Sequence, residues 1–332
     1  MGLFQQGLRN GPRDHQVIFG LEPKIPGKGP CESGVFLFIL SAVNNQHRGF
    51  LYGALAAICY GTNPLGALYL FKAGYTPGSV LFHRFAGAAI LSSLFILFLR
   101  KDFRLPRENV PYIGFLGFLF AASALCLYKS FLYMDAGVAS TLLFAYPIMV
   151  AVFMVIFFKE KLRRKTVFSI ILAISGVVLL MRTGDGEALS LAGILLVFFS
   201  SLSYAVYIVV AARMPKPVGA LKMNMYIFSV CAICLAAYSL LAPGHSIHPV
   251  TSLHAFAWIF QLALVPSLLS LVFMQKALRT IGSTPTAILG ALEPLTAVCI
   301  GVGVFHEALS ARLVAGIGLI LFSVTLLALR KN

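Results

Sequence analysis

LGALEPLTAVCIGVGVFHEAL, residues Leu289 to Leu309, carries an apolar span in which the one acidic residue, Glu293, stands directly before a proline, Pro294. A shift of 147 positions, without a gap, lays Lys276 on Lys129, Pro294 on Pro147, Phe305 on Phe158, Glu307 on Glu160 and Leu309 on Leu162. That register is an internal repeat, so the fold is built from two related units. The copies differ at the residue before the proline, which is Tyr146 in the first and Glu293 in the second.

The rest of the chain agrees with a membrane setting. Hydrophobic residues make up 59% of the 332 and charged residues 11%, a composition whose exterior must face lipid. Ten apolar runs follow one another at about 49–71, 77–99, 111–133, 137–158, 166–182, 189–212, 222–242, 254–275, 284–305 and 312–329. Each approaches the ~20 residues that a helix needs to cross the hydrocarbon core, and none shows the two-residue alternation of a barrel strand.

The net charge of +15 could suggest nucleic acid, but the basic residues lie between the apolar runs rather than on a soluble domain. They read instead as topology signals. Alternate assignment of the loops gives 17 Lys and Arg to one side and three (Lys72, Arg182, Arg312) to the other. The positive-inside rule then places both termini in the cytoplasm. The six cysteines fall mostly within the runs, where thiols pack as small apolar groups, and imply no disulfide framework.

A second register, shifted by 144, lays Gly49 on Gly193 and Tyr60 on Tyr204, so each repeat is five helices long. An odd number of spans forces the halves to enter the membrane from opposite sides, the inverted-repeat plan of many secondary transporters. The expected organisation is an all-α membrane protein of ten transmembrane helices in two inverted five-helix repeats, 49–182 and 189–330. Residues 1–48, rich in Gly and Pro and holding only a ten-residue apolar run (Gly34 to Val43), are expected to be an extension without order.

Mid-helix proline, apolar run, Glu-x-Leu and then a short helix with glycine (Gly176 in one half, Gly316 and Gly318 in the other) form a repeated pattern. It resembles the drug/metabolite transporter superfamily, EamA type, over about residues 49–330. Arg84, in Leu81-Phe82-His83-Arg84-Phe85, is similar to an arginine usual at that place in the family, whereas Lys129 and Tyr146 depart from its pattern. The resemblance implies a transporter of small metabolites, often an exporter of amino acids or related compounds, in the bacterial inner membrane.

Ionisable groups inside hydrocarbon usually face a cavity or pair with one another. Glu293 is therefore the leading candidate for binding substrate or a proton. Its alternative is a neutral acid bonded to the Gly290 carbonyl that Pro294 frees. Arg84 and Lys129 could each receive a substrate carboxylate or phosphate, although Lys129 is near enough to its helix end to snorkel. Tyr60, Asn63, Tyr146, Tyr204 and Tyr207 could line the same cavity, and Pro147 and Pro294 are the candidate hinges. Glu160 and Glu307 read as helix caps. Cys231 and Cys234 have no further ligands at zinc spacing, and no phosphate-binding loop is present, so no metal, cofactor or ATP-driven step is expected. The partners expected are a small-molecule substrate, protons and lipid, and no nucleic acid. A lipid or lipid-linked-sugar translocase of the same fold is the alternative, and a membrane-embedded enzyme a more distant one.

Overall fold

The computed structural model describes residues 32–158, 164–180, 190–241, 247–282, 286, 289–308 and 310–328. Every regular element among them is helical. Seven helices are long and apolar enough to cross a membrane: Gln46–Lys72, Pro77–Phe98, Arg107–Ser130, Ala136–Phe157, Leu191–Ala211, Ala220–Leu241 and Leu253–Ile281. Three shorter apolar helices, Val167–Leu179, Leu292–Phe305 and Ala311–Leu326, complete the ten, and all are numbered here as spans 1 to 10 in chain order. Their outer surface is apolar, with Phe98 and Leu240 more than four-fifths exposed, as lipid contact requires.

Helix α1, Glu32–Gly61, begins well before the expected start of span 1 at residue 49. Residues 32–48 are thus helical where an unstructured extension was expected. No proline or glycine lies between Gly34 and Gly49, so nothing in the chain stops the helical hydrogen bonding from running on upstream. Residues 1–31 lie outside the described ones.

Four spans are interrupted in mid-membrane, each at a proline. Span 1 breaks at Thr62, before Asn63-Pro64, and the Thr62 hydroxyl donates to the Cys59 carbonyl at 2.7 Å. Span 4 breaks between Ala136–Leu143 and Tyr146–Phe158, at the turn before Pro147. Span 8 carries a π-helical turn, Leu264–Leu269, around Pro266, where the missing N–H shifts the hydrogen-bond register. Span 9 restarts at Leu292 after a turn at Gly290-Ala291, just ahead of Glu293-Pro294.

Helix pairing follows the repeat. Spans 2 and 7, 4 and 9, and 5 and 10 pack as pairs that exchange of the repeats would map onto themselves. Span 3 on 6 and span 8 on 1 map onto each other, as do 3 on 7 and 8 on 2. Small residues permit the closest crossings: a Cβ added at Gly176 would lie 2.9 Å from the Gly316 carbonyl oxygen, which joins span 5 to span 10. Around the 2–7 pair the buried core holds Phe85, Tyr128, Leu81 and Leu116.

Two loops strap the repeats together, one on each face. On the face carrying the basic loops, Tyr226 donates to the Phe103 carbonyl at 2.5 Å, while Lys222 pairs with Asp102 and donates to the Arg104 carbonyl. On the opposite face the His248 N–H donates to the Ser79 hydroxyl at 3.0 Å, and His83 Nε2 lies 2.8 Å from the His248 carbonyl. Ser79 and His83 are the third and seventh residues of span 2; Lys222 and Tyr226 hold those same places in span 7.

Candidate functional site

A cavity of about 340 Å³ lies where the four interrupted spans meet. Its wall takes Tyr60 and Asn63 from the break in span 1, Leu143 and Tyr146 from span 4, Pro266 and Ser267 from span 8, and Gly290 and Glu293 from span 9. Continuous spans 2, 3 and 6 add Arg84, Tyr128, Tyr204 and Tyr207. Both repeats therefore contribute, and each broken helix brings its break to the same place.

Glu293 stands in the first turn of helix Leu292–Phe305, with its side chain toward the cavity. Span 1 approaches so closely here that a Cβ at Gly61 would lie 2.6 Å from the Glu293 carbonyl oxygen. Pro294 was expected to free the Gly290 carbonyl, which in the alternative reading bonds the acid. Instead that carbonyl accepts the Glu293 backbone N–H at 3.0 Å, a tighter turn that consumes the acceptor. The carboxyl group makes no hydrogen bond among the described residues. In the first repeat the carbonyl freed by Pro147, that of Leu143, is met differently, accepting the Ser201 hydroxyl at 3.3 Å.

Arg84 is 3% exposed and lies at the far end of the cavity from the basic loops, rather than reaching for its helix end. Nε donates to the Ser267 hydroxyl at 3.2 Å and one terminal nitrogen to the Tyr128 hydroxyl at 3.0 Å. Ser267 in turn donates to the Leu262 carbonyl at 3.0 Å, the carbonyl one turn before Pro266 that the proline leaves without its helical partner. Sequence reasoning missed Ser267 and Tyr128; the Pro266-Ser267 pair, a hydroxyl beside a helix-breaking proline, was the available signal.

Tyr146 meets Tyr204 edge-on at 4.6 Å between ring centroids, and Tyr204 stacks on Tyr207 at 5.6 Å. Asn63 is 7% exposed and its Oδ1 has no hydrogen-bond partner among the described residues, which leaves a buried acceptor in the wall. Lys129 is not in the wall. One residue along the helix from Tyr128 turns it about 100° away, and its Nζ lies 4.9 Å over the Tyr238 ring. The Cys231 thiol bonds the Gly117 carbonyl at 3.2 Å, in a packing role.

The cavity is unequally closed. Toward the basic loops its wall runs on to Ala220, the first residue of span 7, and to Leu278, which is 44% exposed. Toward the other face, Tyr69 stacks on Trp258 at 4.5 Å and meets Phe305 at 5.3 Å, with Lys72 Nζ 4.9 Å over the Phe305 ring. Beside this plug, Glu307 caps the helix Ala136–Leu143 of the other repeat, accepting from Ala136 N–H at 2.9 Å and from Gly137 N–H at 3.2 Å. Left-handed backbone at His306 (φ 58°) turns the chain back so that Glu307 can reach. Burial, reinforced by Asp135, pushes its carboxyl above the usual carboxylate range despite the two amide donors. Its repeat counterpart, Glu160, lies outside the described residues.

The model of the EamA-like transporter family matches this chain twice, over residues 47–182 and 191–329. The uncharacterized transporter YcbK of Bacillus subtilis (strain 168) is 21% identical over 306 residues, covering 88% of this chain and 96% of the relative. The uncharacterized inner membrane transporter YedA of Escherichia coli (strain K12) is 25% identical over 252 residues, covering 75% and 80%. A crystal structure of a protein superposes with a TM-score of 0.59 at 18% identity, over 84% of this chain and 96% of that one, which is a likeness of fold. Two family matches that coincide with the two five-helix repeats make this multi-pass membrane protein a member of the EamA-like transporter family.

Proposed function

We propose that the chain is a secondary transporter that moves a small amphipathic metabolite, of an amino-acid-like kind, out of the cell by alternating access between its inverted repeats. One observation carries the reading: a single cavity built from the breaks of four spans, plugged toward one face and reaching the other through Ala220 and Leu278. Broken helices lining a midplane site are the usual binding architecture of inverted-repeat transporters. With the basic loops in the cytoplasm, the conformation is inward-facing and both termini are cytoplasmic. The inner-membrane description of YedA is in keeping with a bacterial plasma membrane for this chain.

Glu293 is the proton-coupling group in this reading, as the one acid among the described residues of the cavity wall. Protonation and release on opposite sides would then accompany each turnover, with Pro147 and Pro294 as the hinges. The test begins with an unbiased metabolite comparison of cells with and without the protein, and carries the hits into proteoliposomes. Glu293→Gln is expected to retain substrate exchange and to lose accumulation driven by a pH gradient. Full gradient-driven accumulation by this variant overturns the coupling role, and failure of every hit to enter the proteoliposomes overturns transport.

A further inference from the structure

The blind end of the cavity holds a positive charge without a negative one. Among the described residues, no carboxylate lies within 4 Å of the Arg84 guanidinium, and both its hydrogen bonds go to uncharged hydroxyls. Arginine keeps its charge in proteins and its fork offers five N–H groups, of which these bonds use two. A buried charge left with neutral partners is costly, so the arrangement favours an anion arriving from the cavity.

The neighbours narrow its kind. The one hydroxyl hydrogen of Ser267 is donated to Leu262 while its oxygen accepts from Arg84, so Ser267 has no donor left for an anion. Tyr128 accepts from Arg84 but donates to no described acceptor, so its hydroxyl proton is free for a ligand. Arg84 and Tyr128 together present a planar fork and one further donor, a set that suits the two oxygens of a carboxylate. A phosphate dianion would bring two negative charges against one positive charge in an apolar wall, leaving one of them unpaired.

We propose that Arg84 and Tyr128 form a carboxylate subsite at the closed end of the cavity, that Ser267 positions the guanidinium, and that ligands enter acid-first from the basic side. The body of the ligand then lies against the rings of Tyr146, Tyr204 and Tyr207. Arg84 is the eighth residue of span 2 from its far end and Tyr128 the third from the end of span 3, so the acid group sits deepest. Ser267 is held by the π-helical turn of span 8, which makes the orientation of Arg84 depend on that turn. The inference rests on the cavity being a substrate path, so binding and transport are measured separately.

The test uses the full-length protein in detergent and thermal unfolding as the readout of binding, with phenylacetate, phenylacetamide, phenethylamine and phenyl phosphate as probes. Phenylacetate and straight-chain monocarboxylates of similar size are expected to raise Tm in a saturable way, and the amide, the amine and the phosphate ester to leave it unchanged. Arg84→Gln and Arg84→Lys should abolish the shift, the second because an ammonium lacks the planar fork. Tyr128→Phe should weaken the apparent Kd about tenfold, as for loss of one charge-assisted hydrogen bond. Ser267→Ala, which disorders the guanidinium without touching the ligand, should weaken it while preserving the preference for acid over amide. Lys129→Gln, outside the cavity, should change nothing. Equal shifts with the acid and the amide, or an undiminished acid shift in Tyr128→Phe and Ser267→Ala, overturn the subsite even if Arg84 variants fail to fold. Saturable acid binding without uptake in proteoliposomes would keep the subsite and sink the transport reading.

Discussion

Glu307 shows how a single side chain can join the repeats. Its carboxylate reaches across to the N-terminus of Ala136–Leu143, where orphan N–H groups and the helix dipole favour a negative charge. Its raised carboxyl value means that the folded state holds the proton more tightly than the unfolded one. The linkage contribution is therefore full below the ordinary carboxylate range and is lost as pH rises through the raised value. Glu307→Gln should flatten that fall in a melting series from pH 4 to 8, and should cost about 1 kcal/mol near the stability maximum through the lost cap. Which residues meet at the cavity was largely legible, because an ion or tyrosine at mid-span has few places to go. Glu293, Arg84, Tyr60, Asn63, Tyr146 and Tyr204 do share it. Lys129 does not, and the partners of Arg84 could not be read, since Ser267 lies 183 residues away and is linked to Arg84 only by the fold.

At the scale of helices, the prolines act by what they leave unpaired. Pro147 and Pro294 hold the same repeat position, yet Leu143 is satisfied by a side chain from another span and Gly290 by its own turn. The span 4 break therefore leans on span 6, whereas the span 9 break is self-contained. Pro147→Ala and Pro294→Ala are each expected to straighten a helix and slow turnover about tenfold with little change in substrate affinity. Ser201→Ala should slow turnover through span 4 alone, and turnover unchanged from that of the unsubstituted protein in both proline variants would remove the hinges. Glycine at the 5–10 crossing has the opposite, static role: Gly176→Ala should cost about 1–3 kcal/mol in thermal unfolding, because the Gly316 backbone cannot give way. The number and order of helices were readable from hydropathy alone. The breaks were not all readable: Pro266 marks a break inside the run 254–275, but a proline alone does not say that the helix carries on through a π-helical turn.

For the whole molecule, the symmetry of the contacts separates scaffold from gate. If the outward-facing state swaps the conformations of the two repeats, a contact made on both faces at once survives the swap, and a contact made on one face does not. The two straps belong to the first kind. The aromatic plug of Tyr69, Trp258 and Phe305 belongs to the second, since the shift of 147 lays Trp258 on Pro111 in span 3, which has no ring to stack. A short bifunctional thiol reagent joining cysteines at 79 and 248 should leave transport intact, while one joining cysteines at 69 and 258 should abolish it. Orientation is tested in a cysteine-free background, where an impermeant thiol reagent outside the cell should label Thr251→Cys and spare Arg104→Cys. The link from Arg84 to Ser267 also sets a clock for biosynthesis. At about 5–20 residues per second, a ribosome needs roughly 10–40 s to make the 183 residues between them. For the first 44 of those residues the charged side chain has neither partner, and from then until span 8 it has Tyr128 alone, so a nascent chain stalled before span 8 displays an unfinished buried charge, the kind of defect by which membrane quality control can recognise it.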